Sequence, residues 1–345
     1  MDQILPVGKL PPEILKKLIS QAPIQNSRLF MGPGIGLDCG IIDDGNKYLV
    51  LKTDPITFAT EEIGWYAIQI IANDIATTGA EPLWLMVTAL FPQDKTDEAL
   101  IQSVCSQVFD ACKSMNITLT NAHTEITYGI DRPILMCSLL GEAPKDKLIT
   151  PWGAKPGNAV LVTKSIPVEG TALLAKEFPN RLHAILTIKE LETAQNYIHN
   201  PGIGISRDAK IAIENGNITA MHDPTEGGIA AALWELSEAC GYTIEMDSRC
   251  LPISPLSKKI CDFFELNPLN TIASGSLLFT VDESDADRVI EALERSGIPC
   301  SRIGKVQNQQ QVQIWDLASS GRLERPEQDE IAKIFSKEKP FQPLA

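Results

Sequence analysis

Apolar positions in the first half of the chain recur with two different periods, and the switches between them mark the elements. Residues 11–21, Pro-Pro-Glu-Ile-Leu-Lys-Lys-Leu-Ile-Ser-Gln, read as a short amphipathic helix with proline at its start. Two short strands are expected on either side of Asp44-Gly45-Asn46, a strong hairpin signal. The second covers residues 48–52 and ends at Thr53-Asp54-Pro55. A helical pattern over about residues 62–78 is closed by Gly79. Pro82 then precedes an apolar strand over 83–91, and a long helix spans about 96–115. Residues 117–120 and 134–140 read as two further strands, so this half holds a β-α-β unit with additional strands.

Glycine and proline punctuate Pro151-Trp152-Gly153-Ala154-Lys155-Pro156-Gly157, the best place for a domain boundary. Beyond it a strand is expected at 159–163 and helical stretches near 170–178 and 187–198. A Gly227-Gly228 turn opens a helix over 229–240 that Gly241 closes. A strand at 277–281 leads into a helix with Ser284 as N-cap, Asp287 at the third position and Gly297 at the end. A strand at 302–306 completes a second β-α-β unit. The pattern predicts two α+β domains with mixed sheets, 1–150 and 151–345.

Composition narrows the partners. The chain has 345 residues, 44% of them hydrophobic, which allows two packed cores. Lys and Arg number 30 against 44 Asp and Glu, a net charge of −14 that argues against nucleic acid or an anionic membrane as partner. An anionic ligand here needs local neutralisation by a divalent cation or a helix N-terminus. The first residues show no basic segment leading into an apolar run, and no apolar stretch approaches the ~20 residues that span a bilayer, so a cytoplasmic protein is expected. Eight cysteines form no Cys-x-x-Cys pair and read as buried, reduced thiols.

Four segments carry candidate chemistry. Gly32-Pro33-Gly34-Ile35-Gly36-Leu37-Asp38 offers backbone N–H groups to phosphate, but its spacing is not Gly-x-Gly-x-x-Gly, and on spacing alone an ordinary loop is favoured. Asp54 stands at a strand end, before a proline that equally marks a turn. Asp74 falls on the apolar side of its helix, near Ala67, Ile70, Ile71 and Thr78. A buried carboxylate there costs about 3–5 kcal/mol without a partner, so a metal and a buried salt bridge or cap weigh equally. In Met221-His222-Asp223-Pro224-Thr225-Glu226-Gly227-Gly228 the helix start could bind an anion, although plain capping by Asp223 or Thr225 is the commoner case. Taken together, three aspartates and glycine-rich turns fit a Mg²⁺-nucleotide site.

The order of these motifs resembles the aminoimidazole ribonucleotide (AIR) synthase superfamily, most of all its HypE-type hydrogenase maturation branch. Asn73-Asp74-Ile75-Ala76-Thr77-Thr78-Gly79-Ala80-Glu81-Pro82-Leu83 is very similar to the family's Asn-Asp-x-x-x-x-Gly-Ala-Glu-Pro-Leu segment. Gly36-Leu37-Asp38-Cys39-Gly40-Ile41-Ile42, Thr53-Asp54, residues 223–230, Ala273-Ser274-Gly275-Ser276-Leu277 and Ile303-Gly304-Lys305-Val306 follow in family order, over roughly residues 30–335. The resemblance implies a two-domain, PurM-like α+β fold. Its N-terminal mixed sheet would form a barrel across a homodimer, and its C-terminal domain would be an α/β sandwich. It implies an N-terminal ATP-binding and dimerisation domain, ATP and Mg²⁺ as cofactors, and phosphorylation of a carbonyl or amide-type oxygen on a small or peptide-borne substrate.

Carried over by position, Asp38, Asp54 and Asp74 would bind Mg²⁺. Gly34, Gly36, Asn73, Thr124, Asp223, Thr225, Gly227 and Gly228 would hold the nucleotide. Two departures stand out. The HypE branch ends in a Pro-Arg-Ile/Val-Cys tail, whereas this sequence ends Pro340-Phe341-Gln342-Pro343-Leu344-Ala345 with no cysteine after Cys300. Asn121-Ala122-His123-Thr124-Glu125 stands where the family has Gly-Gly-Glu-Thr or Gly-Asp-Thr, which makes His123 and Glu125 catalytic candidates, against a hydrogen-bonded histidine at a strand end. The functions that remain are an ATP-dependent enzyme, a nucleotide-binding factor acting through maturation proteins, and an AIR synthase of purine biosynthesis.

Overall fold

Two mixed sheets organise the molecule, one from each half of the chain. The computed structural model describes residue 5 and residues 10–34, 36–56 and 62–338. Ile35 of the glycine segment and the tail 340–345 therefore lie outside the described residues. The first sheet contains β1 (Leu29–Met31), β2 (Gly40–Asp43), β3 (Lys47–Ile56), β4 (Glu81–Pro92), β5 (Thr118–Thr127) and β6 (Ile134–Pro144) in the order β1-β2-β3-β6-β4-β5. Only β4 and β5 run parallel. At the β2–β3 hairpin Gly45 takes φ +86°, and its N–H is accepted by Asp43 Oδ1 at 2.7 Å, as the Asp-Gly signal requires.

The second sheet contains β7 (Ala159–Thr163), β8 (Ile218–His222), β9 (Ile244–Met246), β10 (Leu278–Val281), β11 (Cys300–Val306), β12 (Ile314–Asp316) and β13 (Gly321–Arg322). Their order is β13-β12-β9-β11-β7-β10-β8, with β9 and β12 parallel. The helices are α1 (Pro12–Ile19), α2 (Ile63–Thr77), α3 (Glu98–Ser114), α4 (Val168–Glu177), α5 (Pro179–Leu182), α6 (Ile188–Gln195), α7 (Ser206–Asn215), α8 (Gly228–Cys240), α9 (Pro255–Phe264), α10 (Ala286–Arg295) and α11 (Ala332–Glu338).

Each half repeats one device. Strands β3 and β4, joined through α2, both pair antiparallel with β6 between them; β10 and β11, joined through α10, do the same around β7. Helix α2 is buried over nearly its whole surface, as a helix apolar on all sides must be. One side meets β3 and β6, and another meets α3 so closely that a Cβ on Gly64 would lie 2.6 Å from the Val104 carbonyl oxygen. The core around α2 also takes in Val168, Ala172, Ile198 and Ile203 from the second half.

Three expectations need correction. Strand β5 runs to Thr127 rather than ending at 120, because it pairs along almost all of β4; residues 121–125 are strand, not the loop beyond one. Ser284 does not cap α10: it sits in a single 3₁₀ turn, and the residue before α10, Asp285, gives its carboxylate to Asn217 N–H and Arg288 instead. The cysteines are all free, but Cys250 is exposed while Cys39, Cys112, Cys137, Cys261 and Cys300 are buried.

Candidate active site

The pleat of β3 places Lys52 and Asp54 on one face, since alternate residues of a strand share a side. That face carries the α2 contact, and from α2 the carboxylate of Asp74 reaches Lys52, Oδ2 to Nζ 3.1 Å. Asp74 is buried; its backbone carbonyl accepts from Thr77 Oγ1 at 2.7 Å and from the Cys39 thiol at 3.3 Å. The loop ahead of β2 brings Asp38 to the same place. Its turn depends on Gly36, which has φ +70° and packs against Glu235 of α8, so that an added Cβ would sit 3.8 Å from the Glu235 Cβ.

The second half closes the site. His222 ends β8 and Asp223 follows it, both buried. His222 Nδ1 lies 3.4 Å from Asp38 Oδ2 and 3.9 Å from Asp223 Oδ1, while its Nε2 makes a 2.6 Å hydrogen bond with Glu235 Oε2. Neither carboxylate oxygen of Asp223, nor His222 Nδ1, has a hydrogen-bond partner among the described residues.

The charges do not balance. Burial and then the neighbouring Asp223 push the Asp74 carboxyl well above the usual carboxylate range, with Lys52 pulling the other way. Burial also raises the carboxyl of Asp223. Burial opposes the charge on Lys52, yet Asp74, Asp38, Asp54 and Asp223 together hold its pKa above the ordinary lysine range. For His222 burial again favours the neutral ring, and Asp38, Asp223 and Glu235 overcome it. All four shifts have one meaning: carboxylates outnumber cations in a desolvated space.

The sequence candidates divide accordingly. Asp38, Asp54, Asp74 and Asp223 act electrostatically on the same lysine, so the structure brings them together. Asn73 is completely buried beside Asp74, but its amide is taken up: Nδ2 donates to Ile203 O at 2.8 Å and Oδ1 accepts from Ile205 N–H at 2.9 Å. It ties α2 to a segment that Lys164 grips from the other side through Gly202 O and Gly204 O, at 3.2 and 2.6 Å. The α8 start is likewise occupied. Gly227 and Gly228 have φ of +80° and +61°, but the Gly227 N–H goes to Asp329 Oδ2 at 2.7 Å and the Gly228 N–H to Thr225 O at 2.9 Å. Asp329 is an internal anion where an external one was expected.

Gly34 forms an isolated bridge with Leu37, close to Asp38 in sequence. His123, Thr124 and Glu125 are not brought to the aspartates within one chain. They are exposed on β5, at the sheet edge, separated from β3 by β6 and β4, or roughly 14 Å at the usual strand spacing. His123 shares a row with Thr88, Met136 and Pro55, whereas Asp54 shares its row with the buried Cys137. His123 and Glu125 come within 3.6 Å of each other there.

Sequence reasoning did not single out Lys52 or Glu235. The first carried a signal, since it stands two residues before Asp54 on one strand; the second carried none.

Comparison with known proteins agrees with this architecture. Residues 36–143 match the N-terminal domain of AIR synthase related proteins, and residues 155–316 match the C-terminal domain. A hydrogenase expression/formation protein of Methanocaldococcus jannaschii is 27% identical over 292 residues, covering 81% of this chain and 83% of that protein. The carbamoyl dehydratase HypE of Escherichia coli is 25% identical over 289 residues, covering 81% of each. Crystal structures of HypE in a complex with HypF and in a complex with ATP share the fold. Their TM-scores are 0.71 and 0.69 at 21% identity, with 90% and 91% of this chain and 99% and 95% of those chains covered. Among the described residues no helix is long and apolar enough to cross a membrane.

Proposed function

This chain belongs to the AIR synthase related family, and on that premise we propose that it binds ATP with a divalent cation and uses it to activate an amide-type oxygen for dehydration. The observation that carries the reading is the meeting of the buried Asp74 and Asp223 with the half-buried Asp38 and Asp54 around one lysine. Asp223 supplies the test of fit: two buried carboxylate oxygens without a hydrogen bond among the described residues are atoms that a cation satisfies. Asp38, Asp54 and Asp74, with Asp223 beside them, would hold the divalent cation, which when bound neutralises the polyphosphate.

Similarity to a relative named for carbamoyl dehydration, and to a HypE structure holding ATP, supports the chemistry. The substrate's carboxamide oxygen attacks the γ-phosphorus, the bond to the β–γ bridging oxygen breaks to release ADP, and one of the two N–H protons passes to solvent. The resulting imidate phosphate then loses phosphate and its N–H proton to leave a nitrile. In this scheme Lys52 and the cation together favour the ionised form of Asp74 against its burial. Asn73 fixes α2, and so Asp74, against residues 202–205. Gly34 and Gly36 let the Asp38 loop approach the phosphates, and Thr225, Gly227 and Gly228 shape the start of α8 beside Asp223.

The sheet face turned away from α2, where Met86 and Met136 are exposed beside Thr88, supports a homodimer in which two such sheets form one barrel. His123, Thr124 and Glu125 would then reach a site only as part of that dimer. Light scattering should give twice the chain mass at micromolar concentration; a stable monomer there would remove the barrel. A maturation protein is the partner in keeping with the HypE–HypF complex.

Turnover tests the enzyme reading. Wild-type protein with ATP, Mg²⁺ and a panel of carboxamides should form ADP, and Asp74→Ala should slow this by at least about 100-fold, the size of effect seen when a transition-state electrostatic partner is lost. Nucleotide binding in both proteins with no ADP from either would leave a nucleotide-binding factor in place of an enzyme.

A further inference from the structure

We infer that the cation site has a nitrogen ligand: His222 Nδ1, with Asp38 and Asp223, forms a three-ligand centre suited to a borderline divalent ion such as Mn²⁺, Co²⁺ or Zn²⁺ rather than Mg²⁺. This deepens the reading above and rests on its claim that a divalent ion sits among these carboxylates.

The geometry comes first. Ligand atoms of Asp38, His222 and Asp223 all lie within 4.8 Å of one another, the one such group of three found among the described residues. An ion about 2.0–2.2 Å from each donor sets donor–donor separations of about 3.0–3.5 Å, by tetrahedral or octahedral edge lengths. The separations from Nδ1 are 3.4 Å to Asp38 and 3.9 Å to Asp223, so a small closure completes the set.

The ring is also oriented as a ligand. Glu235 Oε2 takes the hydrogen bond of Nε2 at 2.6 Å, which leaves Nδ1 directed at the two aspartates with no hydrogen bond of its own. Between two carboxylates Nδ1 must carry either a proton or a metal ion, and a divalent ion satisfies both aspartates where a proton satisfies one. A carboxylate behind a ligating imidazole is the common outer support of metal-bound histidine. Here Glu235 has both tasks, since it also abuts the Gly36 turn that delivers Asp38.

Position and selectivity then follow. Lys52 already neutralises the Asp74 end of the cluster, so the ion belongs at the His222 end. Three protein donors leave at least one position for a phosphate oxygen or water. Imidazole suits Mn²⁺ to Zn²⁺ better than Mg²⁺, which takes oxygen donors almost exclusively.

The test uses the full chain stripped with EDTA. Calorimetry should show one Co²⁺ per chain, bound at least about tenfold more tightly than Mg²⁺. His222→Ala should lower Co²⁺ affinity at least about tenfold and leave Mg²⁺ within about threefold, and Glu235→Gln should weaken Co²⁺ by about 10–100-fold. In the wild type, Co²⁺ should shift one exchangeable imidazole N–H resonance far out of the diamagnetic range, a readout that needs no variant. Equal Mg²⁺ and Co²⁺ affinity, or no shifted imidazole proton, would overturn the inference. If ATP binding needs a divalent ion but ignores the His222 substitution, this inference fails and the nucleotide reading survives. If Co²⁺ binds through His222 but ATP binding is indifferent to metal, the nucleotide reading fails and the centre stands.

Discussion

Lys52→Met is expected to cost the metal-free protein about 3–5 kcal/mol, the range for a buried ion pair robbed of one partner. The substitution keeps the length of the stem and removes only the charge. Lys52 is the nearest cation to Asp74, and Asp38, Asp54 and Asp223 act on the same ammonium. Without it the carboxylates must take up protons or repel one another in a desolvated space. Asp74→Ala should cost less, because Lys52 would keep three acidic neighbours. A divalent ion that binds only the folded state should return part of the loss. Urea denaturation in EDTA and in excess Mg²⁺ measures both effects. A variant as stable as wild type in EDTA would show that the cluster is not short of positive charge.

The second large effect is a fall in stability with rising pH, to which a group away from the cluster contributes. Glu169 in α4 is fully buried, and burial pushes its carboxyl from 4.5 up to about 8, against the restraining Ser274 hydrogen bonds. Glu226 and Asp329 add to the rise. A folded-state pKa above the unfolded value means that the native state holds a proton the unfolded chain has given up. The contribution is therefore complete below about pH 4.5 and is lost as pH climbs through about 8, at roughly 1.4 kcal/mol per pH unit. Asp329, raised from 3.8 to about 6 mainly by burial, slopes the same way over the lower part of that window. Denaturation midpoints between pH 5 and pH 8 in EDTA should fall steadily in wild type and more gently in Glu169→Gln. Parallel slopes for the two proteins would rule out Glu169 as the source.

Much of the first half was legible because local chemistry decides it. The apolar run of α2 and Gly79 placed that helix within a residue at each end, and Asp44-Gly45 placed the hairpin. Strand β5 was cut short because Asn121, His123, Thr124 and Glu125 look nothing like a core strand; they are strand only because β4 pairs with them, a non-local fact. In the second half β9, β12 and β13 have two or three residues each, too few for a period to show. Helix α9 did carry a readable start, Ser254 capping Ser257 N–H with Pro255 at the first turn.

The site divides in the same way. Asp74 announced itself as a carboxylate on an apolar helix face, and Lys52 could have been found from the period of β3. The approach of Asp38 to His222 joins a loop before β2 to the end of β8, and no local pattern predicts it. Asp329 reaching Gly227 is the same kind of contact, and it occupies a helix start that otherwise reads as free.

The central claim is that these carboxylates hold a polyphosphate by way of a cation. Calorimetric titration of the stripped protein with ATP, once in EDTA and once in excess Mg²⁺ or Co²⁺, tests it most directly. The account predicts saturable binding with metal and at least about tenfold weaker binding without it, a difference of about 1.4 kcal/mol or more. The same affinity in both solutions would contradict it.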